Sequence, residues 1–167
     1  AGGSALNKIL KKNVPVYCHI ENIDYLLRKK NWHIGTAHRM GLLRTFKDNP
    51  FKVGGFFIKH FQVEHDAEGY NCGFSILTQD KKKITIATDL GFFDNKLIKH
   101  FTNSDIIIIE SNYDYNMLIN SKREEQLKER IRENHLSNKD CAKAINRIVG
   151  CSINKPKHIF LSHISTE

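Results

Sequence analysis

No run in the 167 residues approaches the roughly 20 apolar positions that a bilayer span requires. The first residues also lack the charged, apolar and small-residue order of a signal peptide, which leaves a soluble protein as the expectation. Cysteine is sparse and scattered. Cys18, Cys72, Cys141 and Cys151 form no C-x-x-C pair and no tight cluster, which argues against a zinc knuckle or a dense disulfide framework and fits a reducing cytoplasm. His33 and His38 lie five residues apart rather than at i, i+4, so they make no helical ligand pair and read as ordinary surface or loop residues. Concentrated positive charge is missing too. The formal net charge is +8, but Lys81-Lys82-Lys83 is a short run and the cations between Lys122 and Arg132 alternate with glutamate. Such a balance suits an anionic partner, and suits a solvated basic surface at least as well.

What is present suffices for one domain, because 167 residues with 40% apolar content can bury a single core. Residues 3–12 place Leu6, Ile9 and Leu10 on one helical face, a short strand is expected over 14–20, and a second helix over 23–30. A strand-like segment at 46–51 is broken by Asp48-Asn49-Pro50, and the Gly54-Gly55 pair precedes a strand at 56–63. Segments 71–77 and 83–88 flank Gln79-Asp80-Lys81 as a hairpin, with Ile84 and Ile86 facing one side and Thr85 and Ala87 the other. A short helix over 94–101 leads to the isoleucine run 105–110, which reads as a strand buried on both faces. Beyond it the charged segment 117–132 predicts one exposed helix. Ser137-Asn138-Lys139-Asp140 matches a capping box opening another, which Gly150 can stop, and 158–163 reads as a last buried strand. The fold class is therefore α/β (α+β), a mixed sheet covered by helices.

His65, Asp89 and His163 each follow an apolar strand at the point where it meets a loop. Imidazole and carboxylate are ligands suited to zinc, and a bound divalent cation brings the pKa of its water from about 15.7 to about 7, the basis of metal-assisted hydrolysis. Spacing alone is a weak signal, because three separated residues form no local motif and a strand-end histidine is usually a satisfied or exposed side chain. Glu110, Asn112 and Asp114 end the isoleucine strand and suit orienting a ligand imidazole or bonding within the loop. Asp66 suits either support of His65 or a turn cap, and His135 precedes the capping box. His60, an odd number of residues before His65, belongs to the opposite strand face.

Several motifs occur in a fixed order: Val63-Glu64-His65-Asp66-Ala67, Gly69-Tyr70-Asn71-Cys72-Gly73-Phe74, Ala87-Thr88-Asp89-Leu90-Gly91, Glu110-Ser111-Asn112-Tyr113-Asp114, Met117-Leu118, His135-Leu136-Ser137-Asn138 and Leu161-Ser162-His163-Ile164-Ser165. Together they resemble the metallo-β-lactamase-fold hydrolases of the bacterial YycJ, VicX or WalJ type. The resemblance implies an αββα sandwich with residues 1–167 as a single partial domain, and two divalent metal ions, zinc first with manganese or iron as alternatives. It implies that His65 binds the first metal, that Asp89 bridges both and is the catalytic carboxylate, and that His163 binds the second. Asp66, Glu110, Asn112 and His135 are then supporting residues around the ligands. The family's His-x-His-x-Asp-His motif is absent and Tyr113 stands where relatives often carry histidine. The expectation is thus a fragment, incomplete on the N-terminal side and ending soon after the last ligand histidine, inactive and aggregation-prone alone. The implied activity of the whole protein is cytoplasmic DNA phosphodiester hydrolysis by a metal-activated hydroxide. The alternatives are hydrolysis of a small ester, thioester or lactam, and a non-catalytic binding or regulatory module.

Overall fold

The computed structural model describes residues 3–28 and 32–165. The chain divides into two compact units, residues 1–49 with 68–70 and residues 50–67 with 71–167.

In the first unit α1 (Gly3–Leu10), β1 (Val16–His19), α2 (Ile20–Arg28), α3 (Trp32–Arg39) and β2 (Leu43–Phe46) follow in order, and β1 pairs with β2 in parallel. Leu10 is buried but Ile9 is 41% exposed, so the apolar stripe of the first helix is narrower than its spacing suggests. His33 and His38, expected to be ordinary surface or loop residues, lie on the helix α3, His33 half-buried and His38 exposed. The strand expected at 46–51 instead ends at Phe46, because the Asp48-Asn49-Pro50 turn separates it from Phe51. Positions 29 and 30 of the expected second helix lie outside the described residues.

The second unit holds the sheet that carries the candidate site. Its order among the described residues is β3 (Phe51–Val53), β4 (Phe56–Gln62), β5 (Cys72–Leu77), β6 (Lys83–Ala87), β7 (Ile106–Glu110) and β8 (His158–Ser162). Pairing is antiparallel as far as β6 and parallel from β6 to β8. Parallel neighbours need crossover connections. These are α4 (Asn95–Phe101) between β6 and β7, and α5 (Tyr115–Asn120), α6 (Glu125–Asn134) and α7 (Asn138–Cys151) between β7 and β8. Asp94 caps α4 by accepting from Leu97 N, and Ser137 caps α7 by accepting from Asp140 N, as the capping-box reading expects.

Alternation decides which side chains form the core. Ile107 and Ile109 are fully buried with Phe61, Ala87, Phe101 and Ile148, whereas Ile106 and Ile108 are only half-buried, so the expectation of burial on both faces holds for one face. On β6 the buried positions are Thr85 and Ala87 rather than the isoleucines. Burying the Thr85 hydroxyl is feasible because Ser104 Oγ lies 2.8 Å away and the His100 carbonyl accepts at 3.2 Å. Three further expectations change. The charged segment forms two helices, with Asp114 capping α5 and Lys128 Nζ donating to Ile119 O across the break. Helix α7 runs past Gly150 to Cys151. Strand β8 lies at the sheet edge rather than in the interior, with Phe160 and Leu161 each at least half exposed.

His100 of α4 stacks on Phe61 at 4.3 Å. Burial, with Lys99, Lys59 and Lys83 nearby, pushes its imidazole down from 6.5 to about 4. Between those values the unfolded chain binds more protons than the folded one, so this group's contribution to stability falls as pH falls. Thermal unfolding should therefore show a smaller loss between pH 6.5 and 4 for His100→Phe than for the unaltered chain. Parallel loss in both would refute this assignment.

Candidate metal centre

The parallel register of β6, β7 and β8 brings the C-terminal ends of three strands to one sheet edge. Glu110 is the last residue of β7 and pairs with Ser162, whose neighbour is His163; Asp89 follows β6 by two residues. Both Asp89 (φ 56°) and His163 (φ 53°) take the left-handed backbone conformation, which turns the chain sharply out of the strand. Asp and His enter this region more readily than β-branched residues, so the turn is sustainable here. Gly91 then lies so close to the end of α6 that a Cβ would stand 2.3 Å from Glu133 O, and its N–H donates to Glu64 O at 3.0 Å. That bond ties the Asp89 loop to the segment carrying His65.

Glu110 is fully buried and organises the histidines. Its Oε1 accepts from His135 Nδ1 at 2.8 Å and from His163 Nδ1 at 2.6 Å, while Oε2 accepts from Leu90 N at 2.5 Å and Leu136 N at 3.5 Å. Burial acts to raise the Glu110 carboxyl, but the bonds from His135, Leu90 N–H and His163 outweigh it and hold the group below its ordinary value. The Glu110 hydrogen bond correspondingly raises the His135 imidazole, against the effect of burial. His65 is oriented differently: its Nδ1 donates to Asn134 O at 3.1 Å. A carbonyl only accepts, so Nδ1 carries a proton, and Nε2 lies 3.8 Å from Asp89 Oδ1.

Three imidazoles are thus held at Nδ1, which leaves Nε2 for a metal or for proton exchange. Ligand atoms of Asp89, His135 and His163 lie within 4.8 Å of one another. His65 joins them across a cavity of about 260 Å³ whose lining also includes Arg130, Leu127 and Ile131. Asp89 Oδ1 lies 3.8 Å from His65 Nε2 and 3.6 Å from His163 Nδ1. The donor set therefore fits a divalent cation with nitrogen and oxygen ligands.

The remaining candidates divide by what they touch. Asp66 accepts from Arg130 Nε at 2.7 Å, a bond that lowers its carboxyl, and lies 3.5 Å from His65 Nε2. Asn112 Nδ2 donates to His163 O at 2.6 Å and its carbonyl accepts from Ser165 N, so it positions the backbone of the His163 turn. Tyr113 is buried against Leu118 and Ile131, which accounts for it as packing. Asp114 caps α5, and His60 is a buried member of β4 paired with Phe74. His135, placed in the sequence beside a capping box, stands within the histidine cluster itself. Its link runs through Glu110, 25 residues earlier, and no local spacing signals it.

The profile of the beta-lactamase superfamily domain matches residues 2–164. Exodeoxyribonuclease WalJ of Streptococcus pneumoniae is 32% identical over 162 residues, which are 95% of this chain and 55% of that protein. The chain thus spans about half the length of this curated relative. Among solved structures, the metallo-β-lactamase fold protein YhfI of Bacillus subtilis aligns with TM-score 0.60 and 15% identity, over 92% of this chain and 53% of YhfI. Zinc-bound PqqB of Methylobacterium extorquens aligns with TM-score 0.63 and 11% identity, over 93% of this chain and 56% of PqqB. At these identities the likeness is one of fold, and the fold is the metallo-β-lactamase fold expected from the motifs.

Replacing Glu110 by glutamine removes a buried charge that satisfies two imidazoles and a backbone amide. In the presence of chelator, Glu110→Gln should lower unfolding free energy by about 2–4 kcal/mol in urea titrations. A loss below about 0.5 kcal/mol would show that the carboxylate does not organise the cluster.

Proposed function

The chain belongs to the beta-lactamase superfamily, and on that premise we propose that it forms part of a metal-dependent phosphodiesterase that hydrolyses DNA. The observation that carries this reading is the Asp89 carboxylate lying 3.8 Å from the His65 imidazole and 3.6 Å from the His163 imidazole, close enough for one carboxylate to be shared by two cations. His65, Asp89 and His163 would contribute ligands to the metal pair of the whole protein, beside those of the His-x-His-x-Asp-His motif that residues 1–167 lack, with zinc the first choice for imidazole and carboxylate donors. Ions bound there supply Lewis-acid activation of water and offset the charge of a phosphodiester. The likeness to an exodeoxyribonuclease and the net charge of +8 both favour a nucleic-acid substrate.

The residues of this chain act around that chemistry. Glu110 orients His163 and His135 through their Nδ1 atoms; Asn112 holds the His163 turn by its backbone; Asp66 keeps Arg130 at the cavity rim. His135 holds a proton on Nδ1 against Glu110 and offers Nε2 for proton exchange with the departing oxygen. Residues 1–167 are read as belonging to one domain of this fold, in a cytoplasmic protein. Among the described residues no helix is long and apolar enough to cross a membrane.

The test uses the full-length chain. Elemental analysis should find two divalent ions per chain, and end-labelled DNA should be degraded in their presence. Asp89→Ala should lose both metal and cleavage. His135→Ala should keep the metal and lose roughly 10²–10⁴-fold in turnover. Metal-loaded protein that leaves DNA intact but cleaves a small ester, thioester or lactam would move the activity to that class. A chain that binds no metal would make it a binding module.

A further inference from the structure

We propose that the outer face of α7 is a track for single-stranded DNA, leading away from the metal centre. This rests on the nuclease reading for the identity of the strand. Two adjoining cavities, of about 410 and 630 Å³, share Asp140 and Lys143 and lie along this helix. Their walls are the three segments that leave the candidate site: the loop after Asp89 supplies Phe92, the start of α5 after Glu110 supplies Tyr115, and α7 itself begins just past His135.

Helix α7 buries Cys141, Ala144 and Ile148 in the core. Lys139, Lys143 and Arg147, four residues apart, are exposed along another side of it. Each step is about 6 Å along the axis, so the cations form a row that successive phosphates of an unstacked strand can follow. Phe92 is 64% exposed beside Lys143 and Arg147, and Tyr115 is 54% exposed beside Lys139 and Lys143. Either ring alone would be an ordinary surface residue. A cation row with an aromatic ring at each end is the combination by which proteins bind single strands, with bases stacked on rings and phosphates on cations.

Acidic residues also line the groove, and each has an oxygen engaged within the fold. Asp94 caps α4 and Asp114 caps α5, while Asp140 accepts from Ser137 Oγ at 2.8 Å and pairs with Lys143 at 2.8 Å. Arg147 reaches Asn95 Oδ1. The lysines at the opposite end of the sheet make a weaker candidate, because the cavity they line includes no aromatic ring. Lys83 Nζ donates to Thr102 O, Lys155 Nζ donates to Val149 O and Ser152 O, and Lys82 faces Asp105.

Binding of fluorescent dT15 to the full-length chain in EDTA, with a salt series, separates this surface from the chemistry. The unaltered chain should prefer dT15 to duplex DNA and to rU15. Phe92→Ala and Tyr115→Ala should each weaken binding about fivefold or more. Lys139→Ala/Lys143→Ala/Arg147→Ala should reduce the slope of log affinity against log salt by about 2. Unchanged thermal midpoint and metal content serve as fold controls. Variants that bind like the unaltered chain, or a preference for duplex or rU15, would overturn the track. Hydrolysis of labelled DNA by the metal-loaded protein, run in parallel, decides the nuclease reading by itself. Absence of hydrolysis with the binding losses intact would retire the enzyme and leave the track.

Discussion

Everything at the sheet edge depends on one buried carboxylate. Glu110 is inaccessible to water, and such a group keeps its charge only if surrounded by donors. It finds two imidazole N–H groups and two backbone amides, from Leu90, Leu136, His135 and His163. These come from the β6 loop, the start of α7, the end of α6 and the turn after β8. One side chain thereby ties together the segments leaving that end of the parallel part of the sheet, which the strand register has already brought near one another.

That convergence orients donors toward a cavity instead of filling it. An imidazole bonded through Nδ1 to a fixed acceptor has its ring plane and tautomer set, so its other nitrogen points where the backbone directs it. His65 reaches the same condition by bonding to the Asn134 carbonyl. The left-handed turns at Asp89 and His163 and the close approach of Gly91 to Glu133 show the backbone bent to bring these groups together. Bends of this kind persist when surrounding bonds over-determine them, as Glu64 O on Gly91 N and Asn112 on the His163 carbonyl do here.

The same topology that builds the centre also supplies what surrounds it. Crossover connections between parallel strands are long, and here they place helices and their entry loops beside the strand ends. Phe92 sits in such a loop, Tyr115 opens α5, and the cations of α7 lie on the helix that leads back toward β8. Chemistry at the ends of β6, β7 and β8 and a surface along α7 are therefore neighbours by construction.

Much of this was legible in the chain. Strand alternation located the hairpin of β5 and β6, the cap at Ser137 reflects local hydrogen bonding, and the ordered motifs pointed to the metallo-β-lactamase fold. These are properties of neighbouring residues or of residue order, which a sequence carries directly. The exposure of β8, the split of the charged segment into α5 and α6, and the burial of Thr85 instead of Ile84 were settled by tertiary contacts. The place of His135 was settled in the same way. Glu110 meets residues 25 and 53 positions further along, because parallel strands and a helix end bring them there. Residue types and their order determined which chemistry was available, whereas strand register decided which of those side chains share a charge, since no local periodicity spans such separations.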